Sequence, residues 1–278
     1  IVHHNVALVP LNKSGKQFWE VNVVGSKIAA ECAADAGVKA FIHMSSSAIY
    51  GIPACPVTND TPIVPIEAYG RAKYQGELEV KSVCQAKGVD LIIIRPRTIL
   101  GHGRLGIFQI LFDWIKAGKK IYTIGDANHL YQFIHAHDLM DAYMLALDKN
   151  VPGAYNVGTN RFGTLREGLD AVIKHANTTA KVTPLPEGLA IGTLRLCDLL
   201  GISPLAPWHY MTYHKPLYFD TKPLEELGWT AKYSNEEMLC ESYDWFVNNF
   251  DRIKAEKAGS PHRRPVREGI LSLIKKFS

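Results

Sequence analysis

Tyr69 and Lys73 stand four residues apart in the run Glu67-Ala68-Tyr69-Gly70-Arg71-Ala72-Lys73, and three serines, Ser45, Ser46 and Ser47, precede them by just over twenty residues. On a helix, positions i and i+4 share a face, so the ammonium of Lys73 would lie beside the phenol of Tyr69. A neighbouring cation favours phenolate and draws down a pKa that starts near ~10. A tyrosine tuned this way exchanges a proton with a substrate hydroxyl, and a serine hydroxyl close by holds that oxygen. The chemistry indicated is proton-coupled hydride transfer. Neither feature is specific alone, since any long helix carries a Tyr-x-x-x-Lys by chance and serines satisfy backbone groups in turns.

The elements around them raise the weight of the pair. Val38 to Met44 is a short apolar run after Gly37 and reads as a buried strand that ends in the serines. In open α/β sheets the carboxyl ends of the strands are where ligands bind. Helices are expected over Gly25–Ala36, Tyr69–Lys87, Phe108–Ala117, Leu139–Leu147 and Leu165–His175, with strands over Val38–Met44, Val89–Ile94, Lys120–Ile124, Tyr155–Val157 and Lys181–Pro184. That alternation predicts an α/β fold, a doubly wound parallel sheet with helices on both faces.

In these stretches the chain resembles the extended short-chain dehydrogenase/reductase family, the NAD-dependent epimerase/dehydratase group. The matching segments are Asn22-Val23-Val24-Gly25-Ser26, Ser45 to Gly51, Tyr69 to Lys73, Ile94-Arg95-Pro96, Phe133 to Leu139 and Tyr155-Asn156-Val157-Gly158. The resemblance implies a Rossmann-like fold and an NAD or NADP cofactor. It assigns Ser46, Tyr69 and Lys73 as catalytic, Lys73 also binding the nicotinamide ribose, and places Val6, Ala7, Asn22, Ser45, Tyr69, Lys73, Pro96 and Thr98 on the cofactor. It also implies a partial cofactor-binding domain over residues 1–100 and 129–178, a smaller C-terminal substrate lobe over 101–128 and 179–250, and a homodimer.

One part of the family pattern is missing. Its members begin with a strand, a glycine-rich turn and a helix that holds the pyrophosphate, yet no glycine precedes Gly15. Ile1 to Ala7 looks like the fourth strand of the family and the turn after it, so the expectation is a fragment lacking the N-terminal strands. Gly101-His102-Gly103-Arg104-Leu105-Gly106 spells G-x-G-x-x-G further on, with Asp126 at the distance of a ribose ligand. Arg95-Pro96-Arg97 breaks the run that should lead into the turn, and bulky Ile107-Phe108 opens the helix where close packing wants small residues. The glycines read as a loop beside the substrate.

The 278 residues, 47% hydrophobic, suffice for a large core. No apolar stretch reaches bilayer length; Leu189 to Ile202 is short and carries Arg195 and Asp198. Five cysteines without C-x-x-C spacing suit a reducing cytoplasm. His3-His4 and His135-Ala136-His137-Asp138 have no third ligand cluster beside them, so no metal is expected, and Asp138 reads as a helix cap. The net charge of +4 comes largely from a basic tail, 251–278, in which Val266 to Phe277 would form an amphipathic helix. Docking on protein is favoured there over attachment to an anionic membrane surface. Nothing resembles a nucleic-acid-binding motif.

The substrate is a small molecule whose class is only partly legible. Ser47-Ala48 follows Ser46 where sugar 4,6-dehydratases of the family carry an acidic pair, which argues against dehydration. Thr98 and Tyr131 occupy places where nucleotide-sugar epimerases have an asparagine and an arginine, although Arg97 or Arg104 could supply a cation for a diphosphate. Leu199 to Tyr210 is rich in apolar and aromatic groups, suited to core or dimer packing or to the wall of a pocket for an apolar alcohol or ketone, as in the 3β-hydroxysteroid dehydrogenase-like branch. The expected activity is an NAD(P)-dependent oxidoreductase or epimerase acting on a secondary alcohol or ketone. The competing reading is a non-catalytic scaffold or an inactive fragment.

Overall fold

The computed structural model describes residues 1–10, 15–201, 205, 207–255 and 275. The chain divides into two compact units, one comprising Ile1–Thr98, His137–Asn160 and Leu217–Ala231, the other Ile99–Ala136, Arg161–Pro216 and Lys232–Ser278.

The first unit is built on a four-stranded parallel sheet in the order β1 (Val2–His4), β2 (Ala40–Met44), β3 (Asp90–Pro96), β7 (Gly153–Val157). Ile42 pairs with Ile92 and Ile94 with Tyr155, so the apolar run of each strand lies beside that of its neighbour. Near-continuous apolar strands of this kind need cover on both faces. Successive residues of β1 show where it comes from. His3 bonds the Tyr143 hydroxyl on α5 (Ala136–Asp148) at 2.7 Å, and His4 bonds the Ser26 hydroxyl on α2 (Ser26–Asp35) at 3.0 Å. Because strand side chains alternate between faces, α2 and α5 lie on opposite sides, and the sheet is doubly wound. Helix α3 (Ala68–Lys87) packs beside α2, where Ala30, Ala33, Phe41, Val80 and Cys84 form a buried cluster.

Several boundaries differ from the sequence expectation. The helix anticipated from Gly25 begins at α1 (Gln17–Trp19) and passes through a π-helical turn, Glu20–Gly25, before α2. Helix α5 begins at Ala136, so Asp138 sits inside its first turn, completely buried, instead of capping it. The lobe boundaries also fall elsewhere. Residues 217–231 join the first unit because Val57 and Asp220 exchange backbone bonds across that segment, Val57 N to Tyr218 O and Asp220 N to Val57 O, each 2.9 Å.

The second unit receives the chain from β4 (Thr98–Leu100) and holds α4 (Phe108–Lys116), β5 (Lys120–Ile124), β6 (Phe133–His135), α6 (Leu165–Ala176), β8 (Lys181–Leu185), α7 (Glu187–Leu199), α8 (Pro207–Thr212), α10 (Asn235–Asn248) and α11 (Phe250–Ala255), while α9 (Lys222–Glu226) belongs to the first. Strands β5 and β8 pair in parallel, Ile121 opposite Val182. Helix α6 packs on α10, which is why 161–178 belongs here and not with the parallel sheet. Both helices open with reciprocal capping boxes, Thr164 with Glu167 and Ser234 with Glu237. The glycines of Gly101-x-Gly103-x-x-Gly106 all have positive φ and follow β4, which lies outside the four-stranded sheet, so they form a loop and not a dinucleotide turn.

Candidate active site

The carboxyl ends of β1, β2 and β3 point the same way, and the expected residues follow them: Val6 and Ala7 after β1, Ser45 to Ser47 after β2, Pro96 to Thr98 at and after β3. Ser46 caps a short 3₁₀ turn, Ser47–Tyr50, its Oγ accepting from the Ala48 amide at 3.2 Å. That amide occupies Oγ as an acceptor and leaves the hydroxyl proton to donate elsewhere.

Helix α3 begins against this turn. Glu67 is its N-cap, its carboxylate accepting from the amides of Tyr69 at 2.7 Å and Gly70 at 2.5 Å. These are two of the donors that a helix start leaves without intrahelical partners, and the carboxylate also suits the positive end of the helix dipole. A Cβ on Gly70 would stand 2.5 Å from the Ala48 carbonyl oxygen, so only glycine lets the first turn of α3 seat on the serine turn. One turn and a half further along, a Cβ on Gly76 would stand 2.0 Å from the Asn22 carbonyl oxygen. The two contacts fix α3 at both the serine turn and the π-helical turn.

Tyr69 and Lys73 follow from that seating. Tyr69 is 8% exposed and meets Phe18 edge-on at 5.9 Å. Lys73 is 1% exposed and donates to the carbonyl of Met44, the last residue of β2, at 2.5 Å. Burial brings its pKa down from 10.5 to about 8, with the Glu77 carboxylate opposing the shift. Beside it are two neutral imidazoles: His43, completely buried, is held well below its ordinary pKa by burial, then by Lys73 and His4, and His4 is lowered by burial and by Lys73.

A buried polar network continues from Lys73. Tyr69, Lys73 and Glu77 recur every four residues, which keeps them on one face of α3. Glu77 accepts from the Ser45 hydroxyl at 2.7 Å and pairs with Arg95 through both carboxylate oxygens. Arg95 donates in turn to the Tyr50 hydroxyl at 2.8 Å, which donates to Asn156 Oδ1 at 2.9 Å. Two cations, Lys73 and Arg95, thus face one carboxylate in this interior.

Other expected residues hold different posts. Asn22 is completely buried, and its carboxamide accepts from the Leu8 amide and donates to the Leu8 carbonyl at 3.0 Å each, which holds the turn after β1. Ser45 serves Glu77. Pro96 is buried, Thr98 half-buried and Val6 exposed. Arg97 is 1% exposed, donating to the Ser47 hydroxyl at 3.1 Å and lying over the Phe219 ring, so it is committed internally; Arg104 is exposed. Tyr131 is buried in the second unit, stacked on Tyr213 at 5.3 Å. Among the described residues no group of three or more His, Cys, Asp or Glu is arranged to hold a metal, and no helix is long and apolar enough to cross a membrane.

Sequence reasoning missed Glu77, Arg95, Tyr50 and Asn156 as a unit. Tyr50, Arg95 and Asn156 stand in the segments that carry the resemblance, and Glu77 is a third polar residue on the stripe occupied by Tyr69 and Lys73, but nothing in the sequence links the four.

Comparison with known proteins agrees with the fold. Residues 2–158 match the model of the NAD dependent epimerase/dehydratase family, and the chain belongs to that family. The uncharacterized protein y4nG of Sinorhizobium fredii is 42% identical over 275 residues, covering 98% of this chain and 69% of the relative. UDP-arabinose 4-epimerase 1 of Arabidopsis thaliana is 30% identical over 245 residues, covering 78% of this chain; the match spans 54% of that protein's length. Among solved structures, UDP-glucuronic acid 4-epimerase from Bacillus cereus in complex with NAD superposes with a TM-score of 0.72 at 19% identity, covering 88% of this chain and 73% of that one.

Proposed function

We propose that the chain carries the proton-transfer centre of an NAD(P)-dependent oxidoreductase or epimerase acting at a secondary alcohol carbon. The observation that carries this reading is the seating of α3: glycine at 70 sets its first turn on the serine turn, with a buried lysine one turn behind Tyr69. Family membership and relatives named as UDP-sugar 4-epimerases support it.

The residues fit the nicotinamide-ribose end of a dinucleotide. Lys73 spends one of its three ammonium protons on Met44, leaving two for ribose hydroxyls, and Val6, Ala7, Pro96 and Thr98 follow strand ends on the same edge of the sheet, where the fold receives ligands. The chemistry such a cofactor would supply when bound is hydride acceptance and return. The protein's own groups manage the proton. Tyr69 takes the hydroxyl proton of the alcohol, Ser46 donates to that oxygen and orients it, and Lys73 stabilises the phenolate. An epimerase would hand the proton back after the ketone turns, with no net redox change; a dehydrogenase would release the ketone. The five free cysteines support placement in a reducing cytoplasm.

The test screens nucleotide sugars and hydrophobic alcohols for NAD(P) reduction or epimerised product, with Tyr69→Phe alongside. A loss of roughly 10²–10⁴ in kcat is expected for Tyr69→Phe. Full activity in that variant would overturn the mechanism.

A further inference from the structure

Helix α7 is apolar on both sides. Inward, Ala190 and Leu194 line a pocket of about 590 Å³ together with Leu111 and Trp114 of α4. Outward, Leu189 is 67%, Leu196 57%, Leu199 85% and Leu200 65% exposed. At i, i+7, i+10 and i+11 these four occupy one stripe of the helix. Single exposed leucines are ordinary on a protein surface, whereas a contiguous apolar patch of roughly a few hundred Å² marks a binding face.

The shape of the stripe says what it meets. Gly188, Gly192, Leu196 and Leu200 follow one another at intervals of four, and rows of that spacing run as ridges along a helix. Leu200, the C-cap, keeps a helical backbone, so the row is unbroken. A Cβ at Gly188 or Gly192 would find nothing within 4 Å, so one half of the ridge is open and the other half is raised by leucine. Neither glycine has the positive φ that would require it, and both weaken the helix they stand in.

Such a ridge complements itself. Turned end for end by a twofold axis, a second copy brings its Leu196 over Gly192 and its Leu200 over Gly188, and receives the same two contacts in return, as an isologous interface demands. Charge agrees with this. No residue of the ridge is charged, Glu187 is paired with Lys215 at 3.1 Å, and Asp198 accepts from the Tyr210 hydroxyl, so two such faces meet without desolvating an ion. An anionic lipid surface is recognised by a rim of Lys and Arg, and the single cation of α7 is Arg195. Buried on both copies, the patch approaches the ~1,000 Å² at which a specific interface begins, which suits a weak and reversible pair.

We infer that the outer face of α7 pairs with α7 of a second copy of this chain, the leucines of each filling the recess over the glycines of the other. Pairing at this face requires neither the chemistry proposed for Tyr69 nor the homodimer implied by resemblance.

Sedimentation equilibrium of the full chain over a concentration series tests it, beside Leu196→Glu, which sets a carboxylate in the recess, and Gly192→Leu, which fills the recess. At the top of the series the parent should approach twice the mass of Leu196→Glu. Gly192→Leu enlarges the apolar face and favours the helix, yet it should weaken association roughly tenfold or more, which separates a shaped contact from general stickiness. In the unmodified chain, amide exchange across α7 should slow as protein concentration rises, so the outcome does not hang on a variant that fails to fold. Equal masses for the parent and Leu196→Glu, association kept or strengthened in Gly192→Leu, exchange in α7 indifferent to concentration, or phosphatidylcholine vesicles that bind the parent and abolish its self-association would each overturn the inference.

Discussion

The interior around Lys73 and the pocket beside α4 are opposite kinds of protein interior. In the first unit, Lys73, Glu77 and Arg95 are buried together and the surrounding hydroxyls and amides are spent on them. In the second, an open volume is walled by leucine, isoleucine and aromatic side chains with no charged group among the described lining residues. Desolvated charges cost stability and hold one geometry, which suits a step in which a proton must move at a fixed point. An apolar wall carries no such desolvation cost and leaves open volume instead of a fixed geometry.

The comparison is broken most severely at Arg95. Replacing it by Met leaves Glu77 buried without the guanidinium that bonds both its oxygens, and an unfolding free energy lower by roughly 3–5 kcal/mol is expected in denaturant titration. A variant as stable as the parent would mean that the network is solvated and not buried.

Lys73 sharpens the comparison through pH. Its folded pKa of about 8 lies below the ordinary 10.5, so between those values the unfolded chain holds more protons and stability rises with pH. The cost of the buried ammonium is fully present below pH 8 and is relieved by about 3 kcal/mol on reaching pH 10.5. Over that same interval the cation beside Tyr69 disappears, and the activity should fall. Unfolding curves recorded from pH 7 to 10.5 should show this rise in the parent and lack it in Lys73→Met. A parent curve flat through that window would sink the assignment.

The smallest effect is expected in the apolar wall. Leu169→Ala removes a side chain that already borders a void, so about 2 kcal/mol, the low end for leucine truncation, is expected by thermal or chemical unfolding. A loss as large as that of Arg95→Met would show that the pocket is closed in solution.

What was legible in the sequence is what local spacing encodes. Tyr69 and Lys73 share a helix face through i,i+4 geometry, and α3 runs over Ala68–Lys87 against an expected Tyr69–Lys87. The strand before the serines was legible as an apolar run, beginning at Ala40 instead of Val38 because the Ala36–Val38 backbone closes the preceding helix first. The Glu77–Arg95–Tyr50–Asn156 chain joins residues from α3, β3, a 3₁₀ turn and β7, and no spacing links them before the sheet forms. The bonds of Asn22 to Leu8 depend on a π-helical turn that no periodicity announces. The apolar segment Leu199 to Tyr210 divides: Leu205, His209 and Tyr210 line the pocket, Trp208 is buried, and Leu199 and Leu200 are exposed. Residues 202–204 and 206 lie outside the described residues, as does the expected helix from Val266 to Phe277 except for Lys275, whose ammonium meets Asp113 at 2.6 Å.

Helix α3 has two glycines inside it and a third at its C-cap, and their histories under mutation should diverge. Gly88, at its C-cap with φ 67°, has open space around it, so asparagine is an acceptable heir there. Gly70 and Gly76 have ordinary helical backbones and no space at all, and a single methyl group at either lifts the helix from what lies beneath it. In a saturation library of this chain, position 88 would retain a short alphabet, whereas 70 and 76 would retain one letter. The distance of the tyrosine from its serine is thus inherited as the absence of an atom, a quantity that no substitution can improve by degrees.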